Sequence, residues 1–229
     1  MKVLDGIQWI VTDIEGTTTE VSFVYDILFS YFRDHMDQWK TVDSAPMNDV
    51  LEQTRLLVLE EQSINLTSKE ALFEQLRQWS IEDRKVTPLK TFQGMVWEQG
   101  FKSGAIKGHM YPDVKPALQR WLNGGLKLAI FSSGSIAAQK QLFGFSTEGD
   151  LTPYFSAYFD TTTGMKRDEQ TYQLIVQQLN APANSVLFLS DIHQELEAAH
   201  ATGLRTLQLV RPGTQANWSW CVADFSEIQ

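Results

Sequence analysis

The sequence predicts an α/β protein, a doubly wound, mostly parallel sheet carrying an inserted helical cap domain. Three observations predict it. From about residue 108 to the end, short apolar runs alternate with helical stretches, a pattern that builds a parallel sheet with helices on both faces. One more run of the same type, Ile7-Gln-Trp-Ile-Val-Thr12, stands near the N-terminus. Between the two, residues 21–107 read as helix with no strand. The expected division is a core domain of residues 1–20 and 108–229, with the cap domain at residues 21–107.

The first strand is short, β-branched and aromatic, which suits a buried strand better than a helix. It is expected to stop near Asp13, because Glu15-Gly-Thr-Thr18 reads as a turn. In the cap, Phe23, Val24, Ile27, Leu28, Tyr31 and Phe32 recur at helical spacing. A second helix is expected around Val50–Leu59 after a break at Pro46, and a third from Ser68 toward Trp79. Thr87 reads as the cap of a fourth, with Pro88 at its first position and Gly100 as its stop. The second half then reads as a helix at Pro112–Leu122, a strand at Leu126–Phe131 and a helix at Ile136–Phe143. A strand at Ala157–Phe159, a helix at Glu169–Leu179 and a strand at Val186–Leu189 follow, then a helix at Gln194–Ala201 and a strand at Thr206–Val210. Gly100, Gly104 and Gly108 are candidate hinge positions near the return from the cap, and Phe23, Phe92 and Trp97 are read first as cap core.

Composition narrows the class. The 229 residues include 13 Phe, 7 Trp and 6 Tyr, too much buriable surface for a disordered chain. Acidic residues outnumber basic ones 28 to 19, for a net charge of −9, so nucleic acid is not an expected partner. No apolar run reaches the ~20 residues of a membrane span, and no secretory signal is visible. Cys221 is the single cysteine, which excludes an intrachain disulfide. A cytoplasmic protein is expected.

Ligands of open parallel sheets bind beyond the carboxyl ends of the strands, and four such ends carry chemistry. After the first strand come Asp13 and Glu15, two residues apart and on one face if the backbone stays extended. Paired carboxylates repel unless a cation or proton lies between them; a solvated acidic turn is the plainer alternative. Ser132-Ser133-Gly134-Ser135 precedes a helix and suits a phosphate or carboxylate, although simple capping by Ser133 or Ser135 explains it as well. Lys166 follows the next strand as a fixed cation or a solvated lysine. Asp191 lies directly beyond the apolar Val186–Leu189 run, as a metal ligand or a helix cap, with Glu195 four residues on.

The order acid pair, hydroxyl–glycine turn, lysine, acid, together with a helical insert after the first strand, resembles the haloacid dehalogenase superfamily across the whole chain. Within it, Asp13-Ile-Glu-Gly-Thr-Thr18, Phe131-Ser-Ser-Gly-Ser135, Leu142-Phe-Gly-Phe-Ser-Thr-Glu-Gly-Asp150 and Thr87-Pro-Leu-Lys-Thr-Phe-Gln-Gly-Met-Val-Trp97 resemble the enolase-phosphatases of methionine salvage. The resemblance implies a monomer and one Mg2+ per chain held by Asp13, Glu15 and Asp191. It implies that Asp13, Glu15 and Lys166 are catalytic and that Ser132, Ser133 and Lys166 bind the substrate's phosphate. The implied substrate is a small phosphorylated methylthio-diketone, enolised and then dephosphorylated under a closing cap. Glu15 stands where most superfamily phosphatases carry a second Asp, so the leaving-group acid role of that Asp is not assigned to it. A phosphatase for a sugar phosphate or nucleotide, and a non-catalytic phospho-ligand sensor, are the competing expectations. His35, His193 and His200 read as structural or solvated, and no residue is singled out as the enolisation base.

Overall fold

A computed structural model describes residues 3–229. The elements run β1 (Trp9–Thr12), a π-helical segment (Phe23–Phe29), α1 (Ser30–His35), a 3-10 turn (Met36–Thr41), α2 (Ala45–Gln62), α3 (Lys69–Ile81) and α4 (Thr87–Ser103). They continue with α5 (Val114–Asn123), β2 (Lys127–Phe131), α6 (Ile136–Gly144), β3 (Ala157–Phe159), α7 (Glu169–Leu179), β4 (Val186–Ser190), α8 (His193–Ala201), β5 (Arg205–Leu209) and β6 (Cys221–Val222). Two compact units result: one runs up to Phe23 and resumes at Lys107, and the other is Val24–Ile106.

The first unit is a parallel sheet in the order β3-β2-β1-β4-β5-β6. β1 is central, pairing in parallel with β2 on one side and β4 on the other. Every residue of β1 and β4 is buried, as expected of strands covered on both faces. Alternation sends Trp9, Val11, Ala129, Phe131, Val186 and Phe188 to one face, where Tyr172 and Ile175 of α7 and Leu196 of α8 complete the cluster. The opposite face takes α5, which buries Val114, Ala117, Leu118 and Trp121, with Trp121 against Phe225 at 5.1 Å between ring centroids. The chain order therefore reverses direction at β1, and the carboxyl ends of β1, β2 and β4 lie side by side.

The helical unit is centred on Phe92, fully buried, with Phe32, Phe73 and Trp39 edge-on at 5.1, 5.5 and 5.9 Å. Removing such a ring costs about 3–5 kcal/mol. Trp97 is buried as well, its indole N–H donating to the Leu28 carbonyl at 2.8 Å. Phe92 and Trp97 are thus core, as read. Phe23 is buried too, its ring 6.1 Å from that of His109 within the sheet unit.

Several local expectations need correction. α2 starts before Pro46 rather than after it, because Pro is tolerated in a first turn whose N–H groups have no intrahelical partner. Val86, not Thr87, occupies the cap of α4, and Pro88 falls within its first turn. Gly100 does not stop that helix; it lies inside, with Tyr31 and Ile106 occupying the place a Cβ would take, and the helix ends at left-handed Gly104. Gly108 is no loose hinge either. It receives Thr147 N–H on its carbonyl, donates to the Phe145 carbonyl and packs on the Leu142 carbonyl. β6 was not anticipated; two residues, including the exposed Cys221, are too few for a periodic signal.

Candidate active site

The sheet unit's candidate site begins where β1 ends. The Asp13 N–H still bonds the Leu189 carbonyl at 2.9 Å, so Asp13 is held in register with β4. Beyond it the backbone does not stay extended, and the alternation expected to put Asp13 and Glu15 on one face is not maintained. The N–H groups of Thr17, Thr18 and Thr19 converge instead on the Ile14 carbonyl at 3.2, 2.9 and 3.0 Å. Gly16 makes this turn possible at φ +69°, a left-handed conformation costly for any residue with a Cβ. It is needed for a second reason, because a Cβ there would enter the Asp191 carboxylate. Asp13 is buried, whereas Glu15 is half-buried.

Lys166 reaches this strand end from the loop after β3. Its Nζ lies 2.5 Å from Asp13 Oδ1 and 2.7 Å from Glu195 Oε2, with all three side chains buried. The ammonium also lies 5.8 Å from the Phe131 ring centroid. Ser190 donates to Glu195 Oε2 at 2.9 Å and accepts the Ile192 N–H at 3.1 Å. Burial alone would lower the Lys166 pKa, but the charges of Asp13 and Glu195 outweigh it and the net shift is upward. Glu195 is itself raised, first by burial and then by Asp13, since the two carboxylates share one ammonium.

Asp191 is placed differently. It does not cap α8, a position taken by Ile192. Its Oδ1 is buried and accepts no hydrogen bond among the described residues. Its pKa is raised from an ordinary 3.8 to about 7, first by burial and then by the charges of Asp13 and Glu195. A buried carboxylate oxygen without a partner, repelled by two other carboxylates, suits a divalent cation. Among the described residues, no group of three or more His, Cys, Asp and Glu side chains forms a ready cage. The available oxygens are those of Asp13, Asp191 and the turn backbone. That sparse, hard set fits Mg2+, which takes one or two carboxylates and keeps several waters. Asp191 also lines a cavity of about 400 Å3 with His193, Thr214 and Gln215.

Ser132 is buried and Ser133 half-buried at the end of β2. Ser132 Oγ accepts the Gly134 N–H at 3.2 Å, which leaves its hydroxyl proton free to be donated. Ser135 caps α6, accepting the Ala138 N–H. Asp160 also serves that helix start: its Oδ2 accepts the Ile136 N–H at 3.1 Å, while Oδ1 takes both the N–H and the hydroxyl of Thr162. The strand-end rule would have found Asp160, which follows β3 directly. Three further residues went unnoticed in the sequence. Tyr172 donates to the Lys166 carbonyl at 2.7 Å. Gln208 donates to the Asp191 carbonyl at 2.9 Å. Arg211 donates to the Thr17 carbonyl. All three act on main-chain carbonyls, six, 17 and 194 residues away, and no side-chain spacing signals that.

The model of the haloacid dehalogenase-like hydrolases matches residues 7–203. The chain belongs to that family. Two relatives named Enolase-phosphatase E1 align over nearly all of both chains. One, from Picosynechococcus sp., is 50% identical over 212 residues, 92% of each chain. The other, from Hahella chejuensis, is 49% identical over 232 residues, covering 100% of this chain and 98% of the relative. Among solved structures, the UTR4 protein of Saccharomyces cerevisiae superposes with a TM-score of 0.81 at 33% identity, over 95% of this chain and 98% of that one. CbbY of Rhodobacter sphaeroides, solved with phosphate, shares the family fold at a TM-score of 0.61 and 17% identity, over 97% and 96% of the two chains.

Proposed function

We propose that the chain is a Mg2+-dependent enolase-phosphatase, which enolises a small phosphorylated methylthio-diketone and then hydrolyses its phosphate in methionine salvage. One observation carries this reading: the 49% identity to a protein named Enolase-phosphatase E1 spans the whole chain, helical unit included. A relationship through the sheet unit alone would have supported a phosphatase of any substrate.

The Asp13 carboxylate attacks phosphorus, forming an aspartyl phosphate as the bond to the leaving oxygen breaks; water then cleaves the acyl phosphate and restores Asp13. Lys166, 2.5 Å from Asp13, pairs with the nucleophile and offsets charge gathering on the phosphoryl oxygens. Glu195 and the Tyr172 hydroxyl hold Lys166 from its two ends. Ser132 binds the phosphate with its hydroxyl, its main-chain N–H being given to the Phe159 carbonyl at 3.2 Å, and Ser133 with hydroxyl and main-chain N–H. The cation would be held by Asp13, Asp191 and Glu15, the last through carboxylate or main-chain carbonyl. When bound, it neutralises phosphate charge and polarises the diketone oxygens. The helical unit serves as the cap, and the enzyme works as a cytoplasmic monomer without nucleic-acid or membrane partners.

Stopped-flow ultraviolet spectroscopy with the diketone phosphate tests both half-reactions. The expected trace is a transient enol absorbance followed by phosphate release, both lost on chelation and both absent in Asp13→Asn. Phosphate release from fully demetallated protein would contradict the reading, and equal turnover of sugar phosphates or nucleotides would favour a plain phosphatase. Intact turnover in Asp13→Asn would remove Asp13 as nucleophile.

A further inference from the structure

We propose that Arg211 is a positioning residue that sets the Asp13–Thr19 turn at the distance from Asp191 that a divalent cation requires. This rests on the metal-dependent reading above. Arg211 lies just beyond β5 and is 5% exposed. Its Nε and Nη2 donate to the Thr17 carbonyl at 3.2 and 3.0 Å. Its Nη1 and Nη2 donate to the two oxygens of Asp113 at 2.9 and 2.7 Å. Asp113 in turn accepts the Phe225 N–H at 2.9 Å. The guanidinium carbon lies 4.1 Å from the Tyr111 ring centroid, and the Tyr111 N–H bonds the Thr18 carbonyl at 3.0 Å.

One planar cation thus ties together the turn, the segment returning at Tyr111–Asp113, the end of β5 and the C-terminal segment. Stability alone is a weak reason for such a group, because a buried ion pair is often no better than an apolar pair of similar volume. Geometry is the stronger reason. The turn closes its inner side on the Ile14 carbonyl, but its outer edge, the Thr17 carbonyl, is held by Arg211. Thr17 follows Gly16, which lies against the Asp191 carboxylate. A shift of the Thr17 peptide therefore moves the rim of the cation site. Lysine cannot take over, since one ammonium does not present a rigid fork to a carboxylate and a carbonyl together.

The test is Arg211→Lys in the full chain, with Mg2+ alone titrated calorimetrically beside a thermal melt and steady-state kinetics. Mg2+ affinity is expected to fall on the order of tenfold, as for other residues that orient metal ligands. kcat at fixed, subsaturating Mg2+ should fall with it, while binding of inorganic phosphate at saturating Mg2+ stays at the parental level. Leu179→Ala, a core truncation in α7, serves as the control: it should lower the melting temperature without moving Mg2+ affinity. Parental Mg2+ affinity in Arg211→Lys, or equal weakening in Leu179→Ala, would overturn the proposal. Should Arg211→Lys fail to melt cooperatively, Asp113→Asn, which keeps an acceptor for the Phe225 N–H, is judged by the same criterion. A parent that binds Mg2+ but leaves the diketone phosphate unchanged defeats the enolase-phosphatase reading, and the affinity comparison still decides on Arg211. A parent that binds no Mg2+ defeats both.

Discussion

The two carboxyl-bearing sides of the site are built on opposite terms. Around Lys166, every charge has a close opposite: Asp13 at 2.5 Å, Glu195 at 2.7 Å, and Ser190 steadying Glu195 at 2.9 Å. Around Asp191 the carboxylate is just as firmly held by its backbone, yet Oδ1 is buried with no hydrogen-bond partner among the described residues. One side is paired within the protein; the other presents a buried oxygen of the kind that suits a cation. Under the reading proposed above, the first side holds the nucleophile and the second receives the cation.

The largest expected effect breaks the completed side. Lys166→Met leaves Asp13 and Glu195 buried without their shared cation, a loss on the order of 3–5 kcal/mol. Phosphate release should fall by about a hundredfold or more; calorimetric unfolding and single-turnover kinetics check the two, and near-parental values in both would mean the pairing matters little. Next comes Gly16→Ala, which attacks the other side. The added methyl combines left-handed strain of about 1–2 kcal/mol with collision against Asp191. A lower melting temperature and weaker Mg2+ binding by calorimetry are expected, with Lys166 undisturbed.

The smallest effect sharpens the comparison through pH. Asp191 has its pKa raised from 3.8 to about 7 in the folded protein, so between those values the native state binds more protons than the unfolded chain. Metal-free protein should therefore lose stability as pH rises through that window, with the penalty absent below it and complete above it. Mg2+ interacts with the ionised form, so its stabilisation should be greater at about pH 8 than at about pH 5. Melting curves with and without Mg2+ at both values decide the matter; equal shifts would separate Asp191 from the cation.

Much of the sheet unit was legible because parallel topology turns sequence order into proximity. Strands that read as apolar runs must align, and whatever follows each run gathers at one edge. That is how Asp13, Lys166 and Asp191, far apart in the chain, could be nominated together. The helical unit was legible as helices but not in its endings. Gly100 looked like a stop, yet the helix uses it to let Tyr31 approach. The π-helical start at Phe23–Phe29 was invisible, since apolar spacing does not reveal which carbonyl each amide will choose. Arg211, Gln208 and Tyr172 escaped for a related reason: each grips a carbonyl, and every residue has a carbonyl to offer.

The position of β1 at the centre of the sheet carries a cost during synthesis. Trp9 pairs with Lys127 on one side and Val186 on the other, so β1 is made well over a hundred residues before it can find both neighbours. Such long-range pairing slows folding and leaves a sticky apolar segment waiting. A nascent chain halted before Val186 would carry that strand with one edge unpaired, the kind of edge that recruits other chains.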